Sequence, residues 1–184
     1  MKTKLFLLAL ATLLFTGIHA QAQEKSKKPK VLVVYFSYTG NTRELARQIH
    51  KQVGGDLVEI ELVTPYSKDY KTVEKQGQDE VNAGYKPPLK TKITDIESYD
   101  VIFIGSPIWW FTIAPPISTF LSEYNLNGKK IVPFITHGGY GLGRSISDIR
   151  KLAPKSVLLK EYEVEGKKLD STKDKLSKWL KTIK

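Results

Sequence analysis

An apolar run that stops at a turn and restarts as an amphipathic helix constrains this chain more than any other feature in it. Val31-Leu32-Val33-Val34-Tyr35-Phe36 has the near-continuous hydrophobicity of a strand covered on both faces, and Ser37-Tyr38-Thr39-Gly40-Asn41-Thr42 follows at once. From about Asn41 to Val53, Leu45, Ala46, Ile49 and Val53 recur at helical spacing. The turn between strand and helix reads as a phosphate cradle. Gly40 lets the backbone approach a ligand, the unpaired N–H groups that begin a helix converge on one anion, and Ser37, Thr39 and Thr42 add hydroxyls. The Ser-x-Thr-Gly-Asn-Thr spacing departs from the Gly-x-x-x-x-Gly-Lys-Ser/Thr of nucleoside-triphosphate loops and from the Gly-x-Gly-x-x-Gly of dinucleotide turns, which argues against both ligands.

Two further buried strands end in unusual loops. Val101 to Gly105 leads into Ser106-Pro107-Ile108-Trp109-Trp110, and Ile131 to Thr136 leads into His137-Gly138-Gly139-Tyr140-Gly141-Leu142-Gly143. A short strand is expected over Leu57 to Leu62 and a last one near Ser156 to Tyr162. Helices fill the intervals. A polar one is expected at about residues 69–83, before the extended Pro87-Pro88 segment, and another starts at Pro115-Pro116 with Ile117, Phe120, Leu121 and Tyr124 inward. A helix over about Leu142 to Leu152 and a terminal one over residues 170–182 follow, the latter with Leu169, Leu176, Trp179, Leu180 and Ile183 on one stripe. Strands alternating with helices imply an α/β fold, a single doubly wound parallel sheet of five strands.

Taken together, the three loops resemble those of the flavodoxin family, over roughly Lys30 to the carboxyl terminus. The resemblance implies the strand order 2-1-3-4-5 and FMN as cofactor. It implies that Ser37, Thr39, Gly40, Asn41 and Thr42 hold the FMN phosphate. The isoalloxazine would lie between Ser106, Pro107, Ile108, Trp109 and Trp110 on one side and Thr136, His137, Gly138, Gly139, Tyr140 and Gly141 on the other. Such a ring needs a flat apolar slot and hydrogen-bond donors along its pyrimidine edge. Trp109 and Trp110 offer the slot, one against the ring and the other lining the wall, and the glycine-rich loop offers backbone N–H groups. His137 and Tyr140 depart from the small hydroxyl residues usual in the family, leaving His137 either a flavin contact or a structural donor. Tyr85 and Arg144 are further candidates near the pocket. Receiver-type phosphoryl transfer, which shares this architecture, would need acidic residues where Ser37 and Tyr38 stand.

The composition bounds the rest. With 184 residues, 41% hydrophobic and 26% charged, the chain suits one compact domain, expected over residues 30–184. Lys2 and Lys4 precede an apolar run from Leu5 to about Phe15, and Ala20-Gln21-Ala22 follows, which reads as a secretory signal peptide over residues 1–22. The run is short for a bilayer span, so no transmembrane segment is expected after cleavage. Residues 23–29 read as a polar linker, and the domain is expected outside the cytoplasm, periplasmic or secreted. No cysteine is present, which excludes thiol catalysis and disulfides, and the scattered His19, His50 and His137 suggest no metal site.

The formal charge of +10 stays clearly positive without the leader, favouring an anionic envelope surface or an acidic partner over nucleic acid. The leading expectation is electron transfer through FMN, as a carrier serving a redox partner or as an oxidoreductase of quinones or other small acceptors, with no catalytic side chain nameable from the sequence. The competing one is a flavin-free binding module at the cell envelope.

Overall fold

The computed structural model describes residues 28–183, so the expected signal peptide and most of the linker lie outside the described residues. Strands β1 (Val31–Tyr35), β2 (Asp56–Glu59), β3 (Val101–Trp109), β5 (Lys130–His137) and β6 (Val157–Leu158) form one sheet in the order β2-β1-β3-β5-β6. Every pairing along that path is parallel, with Val33 opposite Leu57 and Phe103, and Phe103 opposite Val132. This is the order 2-1-3-4-5 that the family resemblance implies.

Alternation along each strand sends neighbouring side chains to opposite layers. Leu32 and Val34 of β1, Ile102 and Ile104 of β3, and Ile131 and Ile135 of β5 pack with Ile117, Phe120 and Leu121 of α3 (Pro115–Glu123) and Ile149 of α4 (Ser145–Leu152). Val33, Tyr35, Phe103, Val132 and Phe134 face the other way. They meet Leu45, Ala46 and Ile49 of α1 (Asn41–Val53) and Leu176 and Trp179 of α5 (Lys173–Leu180). Strands buried on both faces account for the near-continuous apolar runs.

Several expectations shift: among the described residues the sheet carries seven strands rather than five, β2 ends at Glu59 rather than Leu62, and α5 covers Lys173–Leu180 rather than residues 170–182. The last strand is not one piece over residues 156–162: β6 ends at Leu158 and β7 (Tyr162–Glu165) resumes pairing with β5, Phe134 opposite Tyr162. Strand β3 continues through Ser106 to Trp109 and returns through β4 (Thr112–Ile113) as a hairpin, with Trp109 opposite Thr112. Most of the second loop is therefore strand. The fourth helix starts at Ser145 rather than Leu142, because Gly141 and Gly143 hold positive φ values of 70° and 52°. Helix α2 (Tyr70–Ala83) begins where expected, capped by the Asp69 side chain, which accepts the Thr72 N–H at 2.8 Å.

Candidate functional site

The carboxyl ends of β1, β3 and β5 open into a cleft of about 280 Å³, beside the point where the strand order reverses. Thr39, Asn41, Pro107, Ile108, Trp109, Trp110, Thr136, His137 and Gly138 line it, so all three sequence-predicted loops reach one place. Tyr38 lines it too, as do Tyr70, Val73 and Glu74 from α2.

At the phosphate-loop end, Gly40 takes φ 95° and forms the N-cap of α1 with no side-chain hydrogen bond to the helix. The first backbone bond is Glu44 N–H to the Gly40 carbonyl at 3.0 Å, so the N–H groups of the first turn remain available. Ser37 shapes this turn from behind. Its hydroxyl accepts the Gly40 N–H at 3.2 Å, and its side chain lines a separate cleft with Arg43, Glu59 and Tyr66. Thr42 is also turned inward: its buried hydroxyl shares a 2.8 Å hydrogen bond with that of Thr136. That bond crosses from α1 to β5 and pins the loop to the sheet. Asn41 packs against Gly166, where an added Cβ would sit 2.4 Å from its Nδ2.

The aromatic wall is built in two layers. Trp109 stands edge-on to Phe36, Tyr38 and Tyr66 with ring centroids 5.8, 6.1 and 4.9 Å away, and its indole lies over Gly77 of α2. Behind it Tyr66 donates to the buried carboxylate of Glu80, and burial together with that bond pushes the Tyr66 hydroxyl far above its ordinary pKa. Trp110 and Phe111 form the hairpin tip with φ values of 45° and 62°, a left-handed backbone that bulky side chains rarely adopt. Such strain gathers where a loop is shaped for a ligand. Ser106 contributes no surface to the cleft. It is fully buried, donating to the Pro107 carbonyl at 2.8 Å and accepting the Ala114 N–H at 2.9 Å, which ties the hairpin to the start of α3.

The third loop is anchored through His137. Its Nδ1 accepts the Gly139 N–H at 3.0 Å and its Nε2 lies 2.9 Å from Glu163 Oε2 on β7. Both ring nitrogens are thereby committed inside the protein, which makes His137 a structural residue of the loop. Gly138 reaches the cleft; Gly139, Tyr140 and Gly141 do not line it, and Tyr140 stands 81% exposed. Tyr85 and Arg144 line a different cavity of about 220 Å³ between α2, α3 and α4. There Arg144 Nε donates to Asp148 at 3.0 Å and the Thr112 hydroxyl to the same oxygen at 2.7 Å. Burial opposes ionisation of Asp148, but Thr112, Lys151 and Arg144 outweigh it and hold the carboxyl below its ordinary value.

The flavodoxin family model matches residues 30–183. The chain belongs to the flavodoxin family. A candidate flavoprotein from Bacteroides eggerthii is 34% identical, with a TM-score of 0.68 over 81% of this chain and 98% of that one. A Lactobacillus acidophilus flavoprotein solved in complex with FMN is 24% identical, with a TM-score of 0.67 over 81% of this chain and 99% of that one. A flavodoxin from Haemophilus influenzae is 32% identical over 77 residues, 42% of this chain but 30% of that protein, so the match to curated flavodoxins spans half their length or less.

Sequence reasoning about this flavodoxin-family chain missed the contributions of α2 and β7. Tyr70, Val73 and Glu74 sit on α2, expected only as a polar helix before the Pro87-Pro88 segment. The signal was present in Val73 and Gly77, spaced i, i+4 so that a side chain and a gap share one face toward Trp109.

Proposed function

We propose that this protein binds FMN in the cleft at the ends of β1, β3 and β5 and moves electrons between that cofactor and a partner outside the cytoplasm. One observation carries the reading: the uncapped N-terminus of α1 is continuous with an aromatic-walled cleft of about 280 Å³. Thr39, Asn41 and Thr42 would hold the phosphate through backbone N–H groups, Gly40 giving its own to Ser37, while Pro107, Ile108 and Trp110 would flank the ring system. FMN supplies the electron-accepting ring; the protein supplies position, exclusion of water and hydrogen bonds.

Several features support this reading over a flavin-free module. The phosphate-loop backbone is shaped by Ser37 and Gly40 and leaves the start of α1 without a side-chain cap, and Trp110 and Phe111 keep a strained turn beside the cleft. The FMN complex of the Lactobacillus acidophilus relative, which has the same fold, points the same way. Positive net charge, +10 on the whole chain, favours an anionic or small-molecule partner over a basic protein. Lys2, Lys4, the apolar run after them and Ala20-Gln21-Ala22 support export.

The test is to mix purified protein with FMN, remove the excess by gel filtration, and record visible absorbance and flavin fluorescence of the protein peak. Retained flavin with quenched fluorescence is expected. A folded protein that leaves all its flavin in the small-molecule fractions would overturn the reading in favour of a binding module at the cell envelope.

A further inference from the structure

We infer that the edge of the sheet opposite the cleft carries a second binding site, for an acyl chain that ends in an anionic head group. A cavity of about 560 Å³ opens there, against about 280 Å³ for the cleft, and none of the three loops reaches it. Val101 and Phe103 line it from the start of β3, together with Val31 at the start of β1 and Val53 at the end of α1. Leu159 follows β6, and Leu180 and Ile183 come from the end of α5 and just beyond it. Val31, Val53, Leu159, Leu180 and Ile183 are only partly buried, each packed against the core with the rest of its apolar surface left over. Interiors are normally filled, so apolar surface gathered round a cavity of ligand size marks a site rather than a packing fault.

The polar groups select the occupant. Half-buried Lys129 lines the cavity, and its Nζ donates to the carbonyls of Glu97 and Tyr99, both at 2.7 Å. An ammonium has three donors, so one is left, and the two bonds it makes are to neutral acceptors that do not cancel its charge. Lys130 adds a second cationic side chain to the lining and Asp100 a carboxylate. That carboxylate already accepts the Lys30 backbone N–H at 2.7 Å, and Asp95 nearby pairs with the Lys30 ammonium at 3.3 Å. Apolar walls beside an ammonium with a donor to spare suit a hydrocarbon chain with a negative end. Other occupants fit the charge badly: a second copy would set lysines against lysines, and the chain's own leading apolar run carries Lys2 and Lys4.

A free fatty acid and one chain of an anionic lipid share this chemistry. Dodecanoate and dodecanol, equal in chain and different in charge, are titrated by calorimetry into the full chain with and without FMN. Dodecanoate is expected to bind, with dodecanol about tenfold weaker for want of the charged contact and decanoate about tenfold weaker for want of two methylenes. Lys129→Gln, whose amide can still donate to a carbonyl, should cost dodecanoate about tenfold and leave dodecanol unchanged. Ile183→Trp, at a partly exposed position, should fill the cavity and weaken both, and both variants should retain FMN as wild type does. Flotation with phosphatidylglycerol vesicles assigns the source: Lys129-dependent flotation makes the occupant a chain of a bilayer lipid, and dodecanoate binding without flotation makes it a free acid. Equal affinity for dodecanoate and dodecanol, binding that Ile183→Trp leaves unchanged, or no binding to dodecanoate or vesicles would overturn the site. Displacement of FMN by dodecanoate would also overturn it, by placing the acid in the cleft. Lys129-dependent dodecanoate binding by a protein that takes no FMN would sustain the site and refute the cofactor reading.

Discussion

His137 and Glu163 grip each other across the carboxyl edge of the sheet, with Nε2 and Oε2 2.9 Å apart, while the other ring nitrogen accepts the Gly139 N–H. A ring nitrogen that accepts carries no proton, so these contacts select the neutral tautomer with the proton on Nε2. The histidine is in effect a bracket between the glycine-rich loop and β7.

Two amides can separate the halves of that bracket. Asparagine places an acceptor near the Nδ1 position, and glutamine places a donor near Nε2. If the bond to Gly139 shapes the loop for FMN, His137→Asn should hold FMN within about threefold of wild type and His137→Gln should lose about tenfold, one hydrogen bond's worth. Flavin dissociation constants by fluorescence quenching decide it. The reverse order would assign the loop's shape to Glu163 instead.

Gly77 sets two effects against each other. Alanine in the middle of α2 gains about 1 kcal/mol in helix propensity. Its Cβ would also lie 2.9 Å from Trp109 Cε3, and the indole is held from behind by Phe36, Tyr38 and Tyr66. Overpacking of that kind costs about 1–3 kcal/mol, so Gly77→Ala should end about 1 kcal/mol less stable, with FMN bound more weakly because Trp109 must move. Denaturant midpoints and flavin affinity measured on the same variant check both halves; a stabilised protein with unchanged affinity would show that the helix does not press on the indole.

The fold was legible because the strands carry their burial in their composition: the apolar runs of β1, β3 and β5 are covered on both faces and give way to Ser37, Gly105-Ser106 and Thr136. The three loops were legible for the same reason, since each follows one of those runs. What escaped was the direction of individual side chains. Thr42 and Thr136 look like ligand donors in sequence, yet each is the other's partner, 94 positions apart. Ser106 likewise serves Ala114. Long-range pairing of hydroxyls leaves no periodic trace, and neither does the carboxylate of Glu163 beneath His137. The break between β6 and β7 was invisible because residues 156–162 keep enough apolar character to read as one strand.

Phe111 occupies a backbone conformation suited to glycine, at φ 62°, while its side chain is 59% exposed. Phe111→Gly should therefore remove strain of about 1 kcal/mol and sacrifice little burial, leaving the protein about 0.5–1 kcal/mol more stable. The same change removes the ring that meets Tyr140. A higher denaturation midpoint would show that the turn holds strain at a cost in stability. A lower midpoint would mean that the exposed ring contributes more packing than its surroundings show.

Three tyrosines make stability sensitive to alkali. Burial and then the Glu59 carboxylate push Tyr35 up to about 12, and a hydrogen bond to Asp56 followed by burial pushes Tyr99 up to about 12. Tyr66, buried and donating to Glu80, is pushed higher still. In the unfolded chain all three ionise near pH 10. Below that pH both states are protonated and the contribution is fully present. As pH rises from about 10 toward 12 the unfolded chain loses protons that the native state retains, so unfolding becomes progressively easier. Lysines also discharge in this range, so wild type must be compared with Tyr35→Phe, in which the Arg43–Glu59 pair remains. The variant should be less stable than wild type at pH 8, where the Glu59 hydrogen bond counts, and the gap should narrow by pH 11. A gap that stays constant across that interval would show that Tyr35 ionises equally in both states and that Glu59 does not hold its proton.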